Sequence, residues 1–363
     1  MRPGSALIQR LGIKHPIIQA PMAGGASTVD LVAAVCHAGA LGSLGCAYSP
    51  PDDIRRMAAE VRARTDRPFG VNLFAPQPPP EAGGDAARVL ALLADVHAEL
   101  GIGPPTTPSA GALDFGEQLE AVLEARPSGF SFTFGLLPHG AIDELHERGI
   151  FVAGTATTVD EAVALERSGV DAIVAQGSEA GAHRGTFAGT FEAAMIGTVA
   201  LVPQVVDAVG VPVIASGGIM DGRGVAAALA LGAQAAQLGT AFLTTDEAGI
   251  PVAYKRAILE AREDETRITR AFSGRPARGI VNRLMAELDR QPGSILPFPM
   301  QNAVTRPART AAAEQDRAEF LSLWAGQGVR LARPMPASAL VSQIANEVVM
   351  ALDQAGTALS GAG

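Results

Sequence analysis

Residues 213–243 read VIASGGIMDGRGVAAALALGAQAAQLGTAFL. A short apolar run ends on a Gly pair, a helical stretch follows over 222–231, and a second apolar run begins at 235. Buried parallel strands have this form, because both faces are covered and successive strands need a helix-length crossover. Working outward, the same unit recurs. The runs are 16–21 (PIIQAP), 41–45 (LGSLG), 69–74 (FGVNLF), 129–135 (GFSFTFG), 151–156 (FVAGTA), 172–177 (AIVAQG), 211–218 (VPVIASGG) and 235–243 (AAQLGTAFL). Helical segments at 28–38, 52–64, 141–148 and 159–168 lie between them, with Thr158 the expected N-cap and Gly169 the expected stop of the last. Eight strands with most starts roughly 20 to 40 residues apart predict an α/β fold, a closed (β/α)8 TIM barrel. An open doubly wound sheet would carry GxGxxG after its first strand, and none follows a strand here.

The barrel is expected to occupy residues 1–245. Its longest gap, 75–128, holds PQPPPEAGG and GIGPPTTPSAG on either side of a helix near 86–100, an elaborated loop at the mouth or side. Residues 246–328 have helical stretches and the Pro-punctuated LPFPMQNAVTRPAR, and read as a small, mainly helical subdomain capping the barrel on the substrate side. Residues 329–363 supply a last helix, 338–355, that returns to the barrel wall.

Composition narrows the function classes. The chain has 363 residues, 48% hydrophobic and 18% charged, with 41 Gly, which suits an α/β enzyme and not a disordered chain. A net charge of −9 without any Lys/Arg-rich block argues against nucleic acid or an anionic membrane as partner. No apolar run is long enough to span a bilayer, and the N-terminus lacks a basic-then-apolar leader, so a cytoplasmic protein is expected. Two cysteines, Cys36 and Cys46, give neither a disulfide framework nor a zinc site. HExxH, paired CxxC and GxSxG are all absent, so no metal and no serine nucleophile is expected.

Barrel chemistry belongs at the carboxyl ends of the strands, and four ends here are unusual. In QAPMAGGAS, 19–27, Pro21 fixes the backbone and Gly24–Gly25 permit a planar ligand to approach, or simply make a tight turn. Asn72 puts an amide in an apolar strand, where it needs a partner, either in the barrel or on a ligand. AIVAQGSEAGAHRGTF, 172–187, gathers Gln176, Glu179, His183 and Arg184 among Gly177, Gly181 and Gly185. So many polar groups between glycines point to function, with His183 able to donate a hydrogen bond or take a proton near neutral pH. Finally, Gly217–Gly218 and Gly239–Thr240 close the last two strands side by side. These ends commonly bind phosphate through backbone N–H groups and a helix start, though glycine also serves tight turns.

Taken together, QAPMAGG, FGVNLF, DAIVAQGSEAGAHRGTF, the 213–243 run and SGRPARGIVN (273–282) resemble the nitronate monooxygenases, formerly 2-nitropropane dioxygenases, of bacterial class I type. The resemblance spans nearly the whole chain. It implies an FMN enzyme that oxidises alkyl nitronates such as propionate 3-nitronate with O2, through a flavin semiquinone, to a carbonyl compound and nitrite. It places FMN contacts on Ala20, Pro21, Met22, Asn72, Gln176, Gly181, Gly218, Gln237, Leu238, Gly239 and Thr240, with Gly217 beside them, and His183 next to flavin and substrate. Ala182 stands where the pattern GGHRG has Gly. Thr133 and Phe298, on the substrate side, stand where relatives carry His and Tyr. A monomer or homodimer acting on small molecules is implied. The rival readings are an NAD(P)H:quinone or enoyl-thioester reductase on the same barrel, for which no dinucleotide motif is visible, and a non-catalytic flavin-binding protein.

Overall fold

The computed structural model describes residues 3–78, 83–107 and 113–360. Parts of the two Pro/Gly-rich stretches, residues 79–82 and 108–112, lie outside the described residues. The barrel strands are β1 (Ile17–Gln19), β2 (Gly42–Gly45), β3 (Phe69–Phe74), β4 (Gly129–Thr133), β5 (Phe151–Ala156) and β6 (Ala172–Gln176). A two-residue strand, β7 (Ala182–His183), leaves the barrel before β8 (Val213–Ser216) and β9 (Ala235–Leu238) complete it. All eight barrel strands pair in parallel in the order β1-β9-β8-β6-β5-β4-β3-β2. The ring closes between β1 and β2. Gln19 N–H donates to the Leu41 carbonyl (2.8 Å), and Leu41 N–H donates to that of Ile17 (3.0 Å).

Helices between the strands begin where side chains satisfy their first N–H groups. Thr28 caps Val29–His37, and Thr158 caps Val159–Arg167 by accepting from Glu161 N–H, while Gly169 follows that helix with φ +97°. Side chains alternate along each strand. Ile17, Val71, Phe130, Ile173, Ala215 and Leu238 therefore pack outward against the helices. Ile18, Leu41, Phe151, Ala153, Val174, Ile214 and Ala235 fill the barrel's lower interior together with Leu7 and Leu11. The last two come from a helix, Pro3–Leu11, that plugs the amino-terminal end and that the apolar runs did not reveal. Two residues further along most of the strands the inward layer turns polar, as at Asn72, Ser131, Thr155, Gln176, Ser216 and Gln237. That ring is the floor of the site.

The run at 235–243 is a strand only to Leu238; Gly239 takes helical dihedrals (φ −105°, ψ −72°) and Thr240–Leu243 is a helical turn. Ala241, Phe242 and Leu243 are buried in either conformation, so hydrophobicity alone could not place the boundary. At the end of β4, Phe134 and Gly135 leave the strand with φ +79° and +147°.

Residues 246–328 carry the helices Val252–Glu260, Arg283–Asp289 and Met300–Glu314. They also contain β10 (Thr266–Thr269) and β11 (Ala277–Ile280), a pairing the sequence did not anticipate. β11 pairs antiparallel with β10 on one side and with β7 on the other, bringing Ala277 opposite His183. The last helix, Ala337–Ser360, lies on Gly222–Ala230 and on Val29–His37. Cys36 and Cys46 are free and buried, and burial pushes their thiols up to about 11 and about 12, which leaves them inert near neutral pH. Among the described residues no helix is long and apolar enough to cross a membrane, and no three His, Cys, Asp or Glu side chains gather as a metal would require.

Candidate active site

His183 sits over the polar floor inside a cage of rings. Phe134, Trp324, Phe298 and Phe74 have centroids 5.7, 5.9, 6.0 and 6.2 Å from its own. Its Nε2 lies 2.9 Å from Ser273 Oγ. That hydroxyl donates to the Arg275 carbonyl (3.1 Å) and accepts from Arg275 N–H (3.2 Å). Assigning the hydroxyl proton to that carbonyl makes Nε2–H the donor to Ser273 and leaves Nδ1 its lone pair. Nδ1 has no hydrogen-bond partner among the described residues. Burial, then Arg275 and Arg309, lowers the His183 pKa to about 3, so the ring is neutral at physiological pH.

Arg184, next in the chain, points away from the cage. Only 1% exposed, it donates to the carbonyls of Gln176 (2.9 Å), Gly177 (2.6 Å) and Ala194 (2.8 Å) and to Gln176 Oε1 (3.1 Å). It is a strut that fixes the β6–β7 turn. Gln176 serves the same turn, its Oε1 accepting from Gly185 N–H (2.8 Å) and its Nε2 donating to the His183 carbonyl (3.0 Å). The other amide proton of Gln176 has no acceptor among the described residues. The Glu179 carboxylate takes the N–H and the hydroxyl of Thr198 (both 2.9 Å), starting helix Thr198–Ala208. Ala182 has φ +59°, the left-handed region that glycine occupies freely, which explains why a Gly is the expected residue there.

Asn72 spends both amide protons on Ser131, at 3.0 Å to the carbonyl and 2.9 Å to the hydroxyl. Its Oδ1 has no partner among the described residues and is an acceptor held at the floor. Ala20 lies against the β9 end: its N–H donates to the Leu238 carbonyl (2.8 Å), and a Cβ on Gly239 would stand 3.6 Å from the Ala20 Cβ. The Leu238 side chain is in the outer core, so only its main chain can reach the mouth. Gly24 and Gly25 make a tight turn after β1. A Cβ on Gly24 would meet nothing within 4 Å, and both are required by positive φ (+86° and +103°). Gly45 lets two stretches of main chain meet, since its Cβ would fall 2.5 Å from the Met22 and Ala23 backbone. Thr133 lies beneath Gly185, where a Cβ would come within 2.9 Å of its hydroxyl.

On the far side the glycines converge. Gly217 and Gly218 have φ +115° and +70°, and their N–H groups, with that of Gly239, find no acceptor among the described residues. Thr240 Oγ1 accepts from Gly326 N–H (2.9 Å), which frees its own proton. Gly181 and Gly326 abut backbone to backbone. The start of helix Gly222–Ala230, by contrast, is already capped by Asp221 and Glu347, so any anion here must rely on the loop N–H groups. Gly217→Ala should cost about 1–3 kcal/mol, because its Cβ would stand 2.9 Å from Thr198 Oγ1 and 3.0 Å from the Gly177 carbonyl at positive φ. Urea unfolding checks this, and an unchanged midpoint would show that the loop can yield.

Several site residues escaped the sequence reading: Tyr48, Phe74, Phe134, Ser273, Arg275, Arg309 and Trp324. Burial lowers Arg309 and Arg275 to about 10, still protonated at neutral pH, and neither forms a salt bridge among the described residues. The pocket therefore carries positive charge without a direct ion-pair partner, offset at a distance by the Glu161 carboxylate, and that favours an anionic occupant.

A closed (β/α)8 barrel with a polar floor, a histidine in an aromatic cage and unpaired cations at its mouth defines an enzyme of the barrel class. The nitronate monooxygenase family model matches residues 4–347. A probable nitronate monooxygenase of Staphylococcus saprophyticus is 41% identical over 344 residues, covering 93% of this chain and 97% of its own. A solved structure, nitroalkane oxidase from Streptomyces ansochromogenes, is 44% identical with a TM-score of 0.88, covering 96% of this chain and 99% of its own. FabK from Thermotoga maritima is 30% identical with a TM-score of 0.76, covering 97% and 98%. The chain belongs to the nitronate monooxygenase family and is an oxidoreductase.

Proposed function

We propose that this protein binds FMN at the carboxyl ends of its strands and oxidises alkyl nitronates with O2 to a carbonyl compound and nitrite. The observation that carries the reading is His183 itself, a neutral imidazole with a free Nδ1 lone pair between an aromatic cage and a ring of polar strand ends. The residues fit a flavin nucleotide. Asn72 Oδ1 can accept from a pyrimidine-ring N–H, and Gly217, Gly218, Gly239 and Thr240 offer donors to a phosphate. Bound FMN would supply the redox chemistry, and the chain supplies position and electrostatics.

His183 Nδ1 is placed to take the α-proton from a nitroalkane, making the nitronate inside the pocket. Arg275 and Arg309 favour the anion so formed. As the proton arrives, the new negative charge offsets those cations and draws the imidazole pKa back up, which eases the transfer. Phe298, Phe134 and Trp324 keep the substrate side apolar, and Thr133 adds a hydroxyl near the floor.

The test has two arms. Heat-released cofactor should be FMN by mass, and the purified yellow protein should release nitrite from propionate 3-nitronate in air. FAD, or no nitrite, overturns the reading. Anaerobic bleaching by NADPH at a catalytic rate would instead make the protein a nicotinamide-driven reductase.

A further inference from the structure

Arg275 joins three separate segments above His183. Its guanidinium lies 3.7 Å from the centroid of the Phe134 ring, which closes the end of β4. One terminal nitrogen donates to Gln77 Oε1 (3.0 Å) in the loop after β3, and the other to the Thr186 carbonyl (2.7 Å) after β7. Both anchors are themselves held. Gln77 Nε2 donates to the carbonyls of Phe134 (2.7 Å) and Ala75 (3.0 Å). The Thr186 segment is fixed by the buried Glu161 carboxylate, which accepts from the N–H groups of Phe187 (2.5 Å) and Ala188 (2.8 Å). Through its main chain Arg275 also clasps the Ser273 hydroxyl that orients His183.

The arrangement leaves charge and donors unspent. Arg275 is half-buried and has no salt-bridge partner among the described residues, the Glu161 carboxylate acting on it only through space. Nε–H and the second proton of each terminal nitrogen have no acceptor there either. Arg184, a structural strut, sets both terminal nitrogens on carbonyls and leaves only a buried Nε–H unpaired. The free donors of Arg275 are not sealed off in that way.

We infer that Arg275 is a positioning residue with two effects: it latches the roof over His183, and it supplies the positive charge that holds an anion beside that ring. The charged and titratable groups facing His183 are Arg275 from the turn before β11, Arg309 from helix Met300–Glu314, and Tyr48 beyond Arg309. Phe74, Phe134, Phe298 and Trp324 bring none, and Arg184 is turned into the β6–β7 turn. Removing the Arg275 charge should therefore make His183 easier to protonate and an anion harder to bind. The second effect rests on the proposed nitronate chemistry; the first does not.

The experiment compares Arg275→Met, Arg275→Lys and Gln77→Ala in the flavin-loaded protein. Histidine-labelled NMR follows the ring of His183, and steady-state kinetics uses propionate 3-nitronate. In Arg275→Met the His183 titration should rise by about one pH unit, and KM should rise about tenfold with a smaller change in kcat. Arg275→Lys keeps the charge without the fork, so the titration should stay near that of the parent. Gln77→Ala loosens the latch and leaves both charge and titration in place. An unmoved titration in a folded Arg275→Met protein overturns the inference. So does a shift of equal size in Gln77→Ala, which would trace the effect to roof loosening. If the titration moves as expected and no variant or parent consumes nitronate, the Arg275 charge effect stands and the proposed reaction falls.

Discussion

Replacing His183 by Asn is expected to lower turnover of neutral nitroalkanes by about 10²-fold or more, the usual scale for losing a general base. The variant should fold and keep its flavin. Asn preserves a polar end within the cage but has no titratable nitrogen. The structure makes the prediction selective. Because Nε2–H is committed to Ser273, the free Nδ1 is an acceptor, suited to removing a proton and ill suited to donating to an anion. A preformed nitronate has already lost that proton, so its kcat/KM should fall far less. The pH dependence follows from the lowered pKa. A base pushed down to about 3 stays unprotonated as pH falls, so the parent should show no loss of activity through the ordinary imidazole range near 6.5. Equal losses for nitroalkane and nitronate would assign His183 to substrate positioning, and no loss for either would remove it from catalysis.

Arg184→Met is the second large effect, and it falls on stability. Met keeps much of the apolar volume, but the carbonyls of Gln176 and Ala194 lose the Arg184 donor and that of Gly177 keeps only the Ala180 N–H, in a site where Arg184 is 1% exposed. Buried acceptors left unpaired cost about 1–3 kcal/mol each, with partial relief from relaxation, so a loss on the order of 4 kcal/mol is expected. Lys should not rescue it, because a single ammonium cannot reach carbonyls spread around a planar fork. Urea denaturation measured against the parent decides; a loss below about 1 kcal/mol would mean that the turn rests on Gln176 alone.

The barrel was legible because parallel strands buried on both faces leave continuous apolar runs, and glycines mark their ends. AIVAQG shows both signals and FGVNLF the apolar run alone, and each became a strand with its polar residue facing inward. The His183 segment could be read because polar groups cluster there within a few residues. Its partners could not. Ser273 and Trp324 arrive from 90 or more positions away, beside a three-stranded sheet whose β7–β11 pairing is only two residues long, and Arg309 comes from helix Met300–Glu314. A strand that short has no periodicity to detect. Arginine misleads in a second way, since a lone Arg normally reads as surface. Arg184, Arg275 and Arg309 lie inside only because carbonyls, amides and a ring face were arranged around them. The capped start of Gly222–Ala230 is another case, because Glu347, which shares that cap, is 125 residues away.

The helix Pro3–Leu11 has a consequence for traffic. With Leu7 and Leu11 packed into the lower interior, the described residues close the amino-terminal end of the barrel. Substrate and product would then share the carboxyl-end mouth, beside the span from Gln77 through Arg275 to Thr186. Entry and exit would compete there, and a slow opening of that span would cap throughput whatever the chemistry beneath it.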